Sequence, residues 1–190
     1  MIFIVVRNVQ MYSHPLAKNL KKGYDDLVQR VCRVKTKRGE WTGFLVNNTV
    51  LTGGDMEHDK EFDIEFYKSP QTSGFIRNDW GNMLELNIGK VPDVHDMGAV
   101  NKHPAPKQKL YCIGNFLGLP WTIATCNVEL ICGIDRLPKI RDGLFDTHTV
   151  GAPVFTGTGQ LVGMVIAHIP EKDSMVIRFL HADENGKLEG

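Results

Sequence analysis

Short apolar runs, each a few residues long and ended by glycine, asparagine or proline, recur along almost the whole chain. Runs of this length with turn signals between them are typical of the strands of a sandwich or barrel. The predicted strands cover residues 2–6, 27–35, 41–46, 50–52, 62–66, 83–88, 110–113, 122–134, 153–155, 161–167 and 175–181. Hairpin turns are predicted at residues 37–39, 47–48 and 157–159. The sequence therefore predicts an all-β protein.

A proline-rich stretch without a strand pattern divides these strands into two sets of similar size. It contains Pro92, Pro104 and Pro106 and is rich in histidine and aspartate. We therefore expect two packed antiparallel β-barrels, over residues 28–91 and 109–190, joined by a linker over residues 92–108. Two barrels packed in this way usually leave a groove at their junction, and such grooves are favoured ligand sites.

The residues before the first barrel form a separate pattern. A strand is predicted at residues 2–6, and a helix at residues 15–27 that begins after Ser13 and is interrupted at Gly23. We assign residues 1–27 to a short N-terminal extension. An unpaired apolar strand is prone to aggregation, so the strand at residues 2–6 is expected to pair within the domain or with a partner.

Two distant segments carry the strongest functional signal. Residues 43–55 read GFLVNNTVLTGGD, and residues 149–163 read TVGAPVFTGTGQLVG. Their order and spacing resemble the chymotrypsin-like (trypsin-fold) serine proteases, in which Leu-Thr-Ala-Ala-His is followed later by Gly-Asp-Ser-Gly-Gly-Pro-Val and a hairpin. Residues 113–118, IGNFLG, resemble the glycine-rich turn that opens the second barrel of compact members. The resemblance covers roughly residues 28–181 and implies a trypsin-like double barrel.

The same resemblance places unexpected residues at the three catalytic positions. Asp55 stands where the family has its general-base histidine, and Val150 stands where it has the nucleophile. The family's aspartate falls at Trp80 or, with a one-residue gap, at Asp79. A valine has no lone pair for acyl transfer, and an aspartate with an ordinary pKa of about 3.9 is a poor base for an alcohol. The prediction is a degenerate triad, a pseudoprotease that is not an enzyme.

Two further features bear on catalysis. His148 occupies the position of the glycine whose N–H completes the family's oxyanion hole, and a side chain there disfavours the glycine-type backbone conformation. One alternative, an active viral-type protease, uses Thr149 as the nucleophile with His58 and Asp79. It requires an insertion before His58 and a one-residue register change that turns the Thr149 side chain to the other face.

Binding does not require the triad, because this family holds substrates as an added antiparallel strand. Alignment of residues 161–168 with the family places Ile166, Ala167 and His168 beside such a peptide. The sequence thus predicts a protein–protein interaction module that holds an extended segment of a protein partner. The alternative is a scaffold whose groove is closed and which binds through the strand at residues 2–6 or the helix at residues 15–27.

The charge balance, the cysteines and the residue spacings indicate which partners, cofactors and cellular location to expect. The chain has 22 basic and 22 acidic side chains, a balance that disfavours nucleic acid, including RNA, as a partner. No apolar run reaches the roughly 18 residues of a transmembrane helix, so no membrane partner is expected. The four cysteines are expected to be reduced and mostly buried, and with no export signal they predict an intracellular protein, cytoplasmic or nuclear. No paired histidine or Cys-x-x-Cys spacing occurs, so neither a metal nor another cofactor is expected.

Overall fold

The computed structural model describes residues 1–54, 60–94, 98–137 and 145–189 and consists mainly of strands. The strands are β1 (Ile2–Tyr12), β2 (Val31–Thr36), β3 (Gly39–Val46), β4 (Thr49–Gly53), β5 (Phe62–Phe66), β6 (Thr72–Asp79), β7 (Met83–Ile88), β8 (Lys109–Phe116), β9 (Leu119–Gly133), β10 (Pro153–Phe155), β11 (Leu161–Ile169), β12 (Ser174–Phe179), β13 (His181–Ala182) and β14 (Leu188–Glu189). The two helices are α1 (His14–Leu20) and α2 (Tyr24–Val28), and 3-10 turns cover Ile134–Arg136, Thr147–Thr149 and Pro170–Lys172. No helix in the described ranges is long and apolar enough to span a membrane. The prediction of two antiparallel barrels is confirmed.

The first barrel contains strands β2 to β7 in the order β2-β3-β4-β7-β6-β5 and is closed. Asn47 and Asn48 join β3 to β4, and their positive φ angles of 47° and 64° give the turn type that matches the twist of a hairpin. Successive strand residues point to opposite faces, so alternate residues fill the barrel. Its buried apolar residues are Cys32, Val34, Leu45, Val50, Phe62, Ile64, Phe66, Leu84 and Leu86.

The second barrel has the closed order β1-β12-β11-β10-β8-β9. Phe3 of β1 lies opposite Cys132 of β9 on one side and opposite Arg178 of β12 on the other. The sequence pattern assigns this strand to an N-terminal extension over residues 1–27, but in the structure it does not belong to a separate extension. It closes the second barrel, because pairing on both edges satisfies the backbone groups of an apolar strand.

The two barrels share a core that also holds the helices. Tyr24, Leu27 and Val28 of α2 are buried against residues from both barrels. The helical segment is interrupted as predicted, since Gly23 has a φ of 85°, a left-handed conformation that glycine adopts without steric cost. The apolar residues shared between the barrels include Val31, Phe44, Leu51 and Met83 of the first and Ile113, Ile123, Phe155, Leu161, Met164 and Leu180 of the second.

One strand, β6, has no counterpart among the predicted strands. Of its eight residues only Gly74 is buried, so the alternation of apolar and polar residues that marks other strands is missing. β6 is held instead by its neighbours, with Gly74 opposite Phe62 of β5 and Ile88 of β7. Backbone pairing alone places this strand in the barrel.

All four cysteines are buried free thiols, as expected from the sequence. Burial raises the pKa of Cys126 to about 12. A thiol with a raised pKa has little thiolate at neutral pH and is a weak nucleophile. Among the described residues, the cysteine side chains therefore belong to the core.

Candidate functional site

The two segments that carry the family resemblance meet between the barrels. The Thr42 N–H donates to the Val150 carbonyl over 3.1 Å, and the Thr52 hydroxyl donates to the Thr42 carbonyl over 2.7 Å. The contact at Gly53 is closer, since a Cβ atom there would lie only 2.2 Å from Cγ1 of Val150. We call this junction of Thr42, Gly53 and Val150 the seam. The structure thus places Val150, the residue at the predicted nucleophile position, directly against the end of β4.

Asp55, at the predicted base position, lies outside the described residues, as does His58. Gly54, which immediately precedes Asp55, is described and donates its N–H to the carbonyl of Asn82 over 3.0 Å. A Cβ atom at Gly54 would lie 1.9 Å from the carbonyl oxygen of Gly81, so only glycine fits this approach. Gly54, directly after β4, therefore lies against the turn between β6 and β7.

The side chain of Asp79 bonds within this same turn. Its Oδ1 accepts a hydrogen bond from the Gly81 N–H over 2.8 Å, and the residue is exposed at the end of β6. Trp80 is also exposed. The residue that the structure brings next to Gly54 is Asn82, which the sequence comparison did not single out. Recognising β6 would have located the turn between β6 and β7, and with it Asn82.

Thr149, the nucleophile of the rearranged triad, is completely buried. Its Oγ1 lies 2.6 Å from Oδ2 of Asp146 and 3.0 Å from the carbonyl oxygen of Asn115, and the hydroxyl has one proton to donate to these two acceptors. The side chain points into the protein and supports the turn that carries Val150. The contacts of Thr149 with the described residues therefore indicate a structural role.

The backbone of the turn also differs from the expected oxyanion hole. Residues 147–149 form a 3-10 turn, in which the His148 N–H donates to Oδ1 of Asp146 over 3.1 Å. The Val150 N–H donates to the carbonyl of Thr147 over 3.2 Å. These are the two N–H groups that the resemblance assigns to the oxyanion hole. Both N–H groups donate to acceptors within the turn. Hydrogen bonding, and not only the side chain of His148, therefore keeps them from an oxyanion.

Asp146 is the centre of a buried polar cluster. Its carboxylate accepts hydrogen bonds from the Leu117 N–H over 2.7 Å and from Thr149 and His148, and its Oδ2 lies 3.4 Å from Nδ1 of His168. Burial alone would raise the pKa of Asp146, but the hydrogen bonds from His168, Thr149 and the Leu117 amide outweigh it and lower that pKa. The cluster fixes the turn to β8 and β11.

The carboxylate lies between the hydroxyl and the imidazole in this cluster. A nucleophile–base pair needs direct contact between the hydroxyl and the ring. Here the Thr149 hydroxyl and the His168 ring each contact the carboxylate of Asp146 instead. His168 is itself 1% exposed. The role of the cluster is to position the backbone. Among the described residues, histidine, cysteine, aspartate and glutamate side chains form no group of three that could hold a metal.

Sequence reasoning missed Asp146, although one signal was present. Asp146 is the N-cap residue of the 3-10 turn Thr147–Thr149, a position that aspartate favours because its carboxylate can accept backbone N–H groups. Its pairing with His168 joins two parts of the chain that no local pattern connects.

The predicted peptide-binding residues lie at the far end of β11. The pairing of β11 with β12 passes from Val165 opposite Ile177 to Ala167 opposite Val176, so Ile166 is an extra residue in a bulge. Ile166 is half-buried, whereas Ala167 and His168 are buried. The His168 carbonyl accepts a hydrogen bond from the Asp146 N–H over 3.1 Å.

Comparison with solved structures identifies the fold. The inactive form of the Rv3671c protease has a TM-score of 0.70 at 13% identity, covering 90% of this chain and 93% of that one. The active form of the same protease from M. tuberculosis has a TM-score of 0.63 at 14% identity, covering 88% and 83%. A serine endoprotease from Yersinia pestis has a TM-score of 0.66 at 11% identity, covering 83% and 60%. The sequence itself matches no family model and no curated protein.

The fold is thus a chymotrypsin-like double barrel, similar to that of these serine proteases. The prediction that the chain is not an enzyme is contradicted by this comparison, because the structures that share its fold are named serine proteases and one of them is an active form. The absence of a hydroxyl at Val150 does not by itself decide the question. At these identities the likeness establishes the fold, and the neighbours' activity belongs to the neighbours.

Proposed function

We propose that this trypsin-fold chain recognises an extended segment of a polypeptide, held beside the end of β11 near the seam. One observation carries the proposal. β10 pairs with β11 only as far as Met164, so Val165 to Ile169 have a single neighbouring strand, β12, in the described part of the chain. Their other edge faces the turn of residues 146–151. An added strand uses an edge of this kind through main-chain hydrogen bonds.

Three backbone hydrogen bonds from described residues cover this edge. The Gly151 N–H donates to the Val165 carbonyl, the Val165 N–H donates to the Ala152 carbonyl, and the Asp146 N–H donates to the His168 carbonyl. A peptide that paired with residues 166–168 would replace the last of these bonds with its own. The exchange costs one hydrogen bond, whose net contribution is about 1 kcal/mol. Ile166 would contribute an apolar side chain next to the bound segment.

The scaffold alternative retains one of its two surfaces. The strand at residues 2–6 lies within β1, which is paired on both edges and therefore offers no free edge to a partner. The helix α1 remains, with Leu16 58% exposed and with Lys18 at the surface, 3.7 Å from Asp25. Binding through this helix would depend on the charge of Lys18 and would not depend on the backbone of β11.

The test uses fluorescein-labelled, reduced and carboxymethylated casein as the extended polypeptide. We expect the protein to raise its fluorescence anisotropy, and Ile166→Pro to weaken this binding by about tenfold or more, because proline removes a backbone donor. Lys18→Glu is the control and should bind as the wild type does. Gel analysis of the same mixtures records whether the bound casein is cleaved. Cleavage would identify the bound segment as a substrate.

Proline can also unfold a strand, so a second measurement is made on the wild type. Casein should slow hydrogen exchange of the backbone amides at residues 166–168. Normal binding by a folded Ile166→Pro variant, or unchanged exchange at these amides in the presence of casein, would overturn the proposal. Loss of binding on Lys18→Glu alone would transfer the function to α1.

A further inference from the structure

A cavity lies between residues of the two barrels. It has a volume of about 510 Å³ and is lined from the first barrel by Leu51, Arg77, Met83 and Glu85, and from the second by Arg178 and Leu180. Lys187, between β13 and β14, completes one side. This volume lies within the range of about 300–1,000 Å³ that is usual for small-molecule sites.

Arg178 is the unusual residue of this cavity. It is 3% exposed, and its Nη1 donates to Oδ1 of Asn82 over 2.5 Å. Among residues 1–54, 60–94, 98–137 and 145–189, its Nε has no hydrogen-bond partner and no carboxylate forms an ion pair with it. Burial lowers the pKa of this guanidinium. A buried cation is normally paired, because removing a charge from water is costly when no counter-charge compensates it.

The other charges of the cavity add to this positive character. Arg77 and Lys187 are cationic, and Glu85 is the only acidic residue among the described residues that line it. The carboxylate of Glu85 is already engaged, since it accepts hydrogen bonds from Asn78 over 2.7 Å and from Thr49 over 3.1 Å and lies 3.7 Å from Nε of Arg77. Among the described residues, the lining therefore has more cationic side chains than carboxylates.

A neighbouring cavity has charge of the opposite sign. It shares Val46, Asn47 and Leu188 with the Arg178 cavity, yet its charged lining residues are Asp183 and Glu184. The two cavities are thus distinguished by the sign of their charge. Only the one that contains Arg178 combines a buried cation with apolar walls.

We propose that the Arg178 cavity binds a small organic carboxylate with an apolar body. The carboxylate supplies the counter-charge that Arg178 lacks, and the planar guanidinium matches a carboxylate better than it matches a single-atom anion. Leu51, Met83 and Leu180 provide the surface for the apolar body. This site is independent of the peptide proposed at β11.

The test compares three probes by calorimetry and amide NMR. We expect hexanoate to bind with a dissociation constant of about 1 mM or tighter and to shift the resonances of residues that line the cavity. The neutral 1-hexanol has the same apolar body without the charge, and inorganic phosphate has the charge without the body. Both should bind about tenfold more weakly or worse. Equal binding of hexanol, equal binding of phosphate, or no binding of hexanoate would overturn the proposal.

Two variants assign the charge to Arg178. Arg178→Met should lower the affinity for hexanoate by about tenfold, and Arg38→Met, in the turn between β2 and β3, should leave it unchanged. We expect the Arg178→Met variant to fold, because it removes a buried charge that has no acidic partner in the described residues. The Nε–H resonance of Arg178 can be measured in the wild type, so this test does not depend on whether a variant folds. This resonance should shift with hexanoate and not with hexanol, and hexanoate binding without that shift would contradict the assignment.

Discussion

Oδ2 of Asp146 lies 3.4 Å from Nδ1 of His168, and both side chains are buried where the turn before β10 meets the end of β11. The same carboxylate accepts hydrogen bonds from Thr149 and from the Leu117 amide. One side chain thus connects the turn that carries Val150 to two strands of the second barrel. The position of Val150 at the seam depends on this connection.

Asp146→Ala should therefore destabilise the protein by about 3 kcal/mol, because it leaves several buried donors without an acceptor. Urea unfolding measures this loss. Asp79→Ala is the matched control, since Asp79 is exposed and its hydrogen bond to Gly81 is local. The control should cost about 0.5 kcal/mol. Equal losses in the two variants would show that the Asp146 cluster does not support the fold.

The contribution of Asp146 should also depend on pH. Its pKa is lower in the folded protein than its ordinary value, because the hydrogen bonds from His168, Thr149 and the Leu117 amide outweigh the effect of burial. A lowered folded pKa gives a stabilisation that is complete above the unfolded pKa of about 3.9 and is lost as the pH falls through the folded pKa. The free energy of unfolding of the wild type relative to Asp146→Asn should decrease below that pH. A difference that stays constant into acid would refute this linkage.

The contact between Gly53 and Val150 predicts a coupled pair of substitutions. Gly53→Ala places a Cβ atom 2.2 Å from Cγ1 of Val150, so we expect a loss of about 1–3 kcal/mol. Val150→Ala removes the colliding methyl groups, and the double variant should recover part of the loss. The double-mutant cycle should give a coupling energy of about 1 kcal/mol or more. Additive effects would mean that the two side chains do not meet at the seam.

Ala152 should not tolerate a larger side chain. It is fully buried, and a Cβ atom built on Gly114 would lie 2.8 Å from the Cβ of Ala152. Ala152→Leu should therefore cost about 1–3 kcal/mol through overpacking. The exposed Ala105 gives a matched control, since Ala105→Leu should leave the melting temperature nearly unchanged. An unchanged melting temperature for Ala152→Leu would place this residue outside the core.

Much of the fold follows from local patterns in the sequence. The strands at Phe62–Phe66, Met83–Ile88 and Pro153–Phe155 have the predicted bounds, because in each of them buried residues recur with the strand period or fill a short apolar run. The hairpin at Asn47 and Asn48 follows from residues that adopt positive φ. The pairing of β1 could not be derived in this way, since an apolar strand does not specify which edges it joins.

The site was less predictable than the fold. Val150, which belongs to the contiguous motif at residues 149–153, lies against the end of β4 in the structure. The sequence comparison places the family's aspartate at Trp80 or, with a one-residue gap, at Asp79. The turn that carries Asn82 follows β6, a strand whose sequence has no amphipathic pattern. The pairing of Asp146 with His168 depends on how two distant segments pack. Such contacts need the tertiary structure.

The closure of the second barrel by β1 has a consequence for the order of folding. β1 precedes every strand of the first barrel, but its partners β9 and β12 follow that barrel. During synthesis, β2 to β7 can pair while β1 still lacks both neighbours and exposes an apolar ribbon. Contacts between segments so far apart in sequence slow folding, and an unpaired strand favours association with other chains. Folding yield should therefore be limited by the late pairing of β1 with β12, and not by formation of the first barrel.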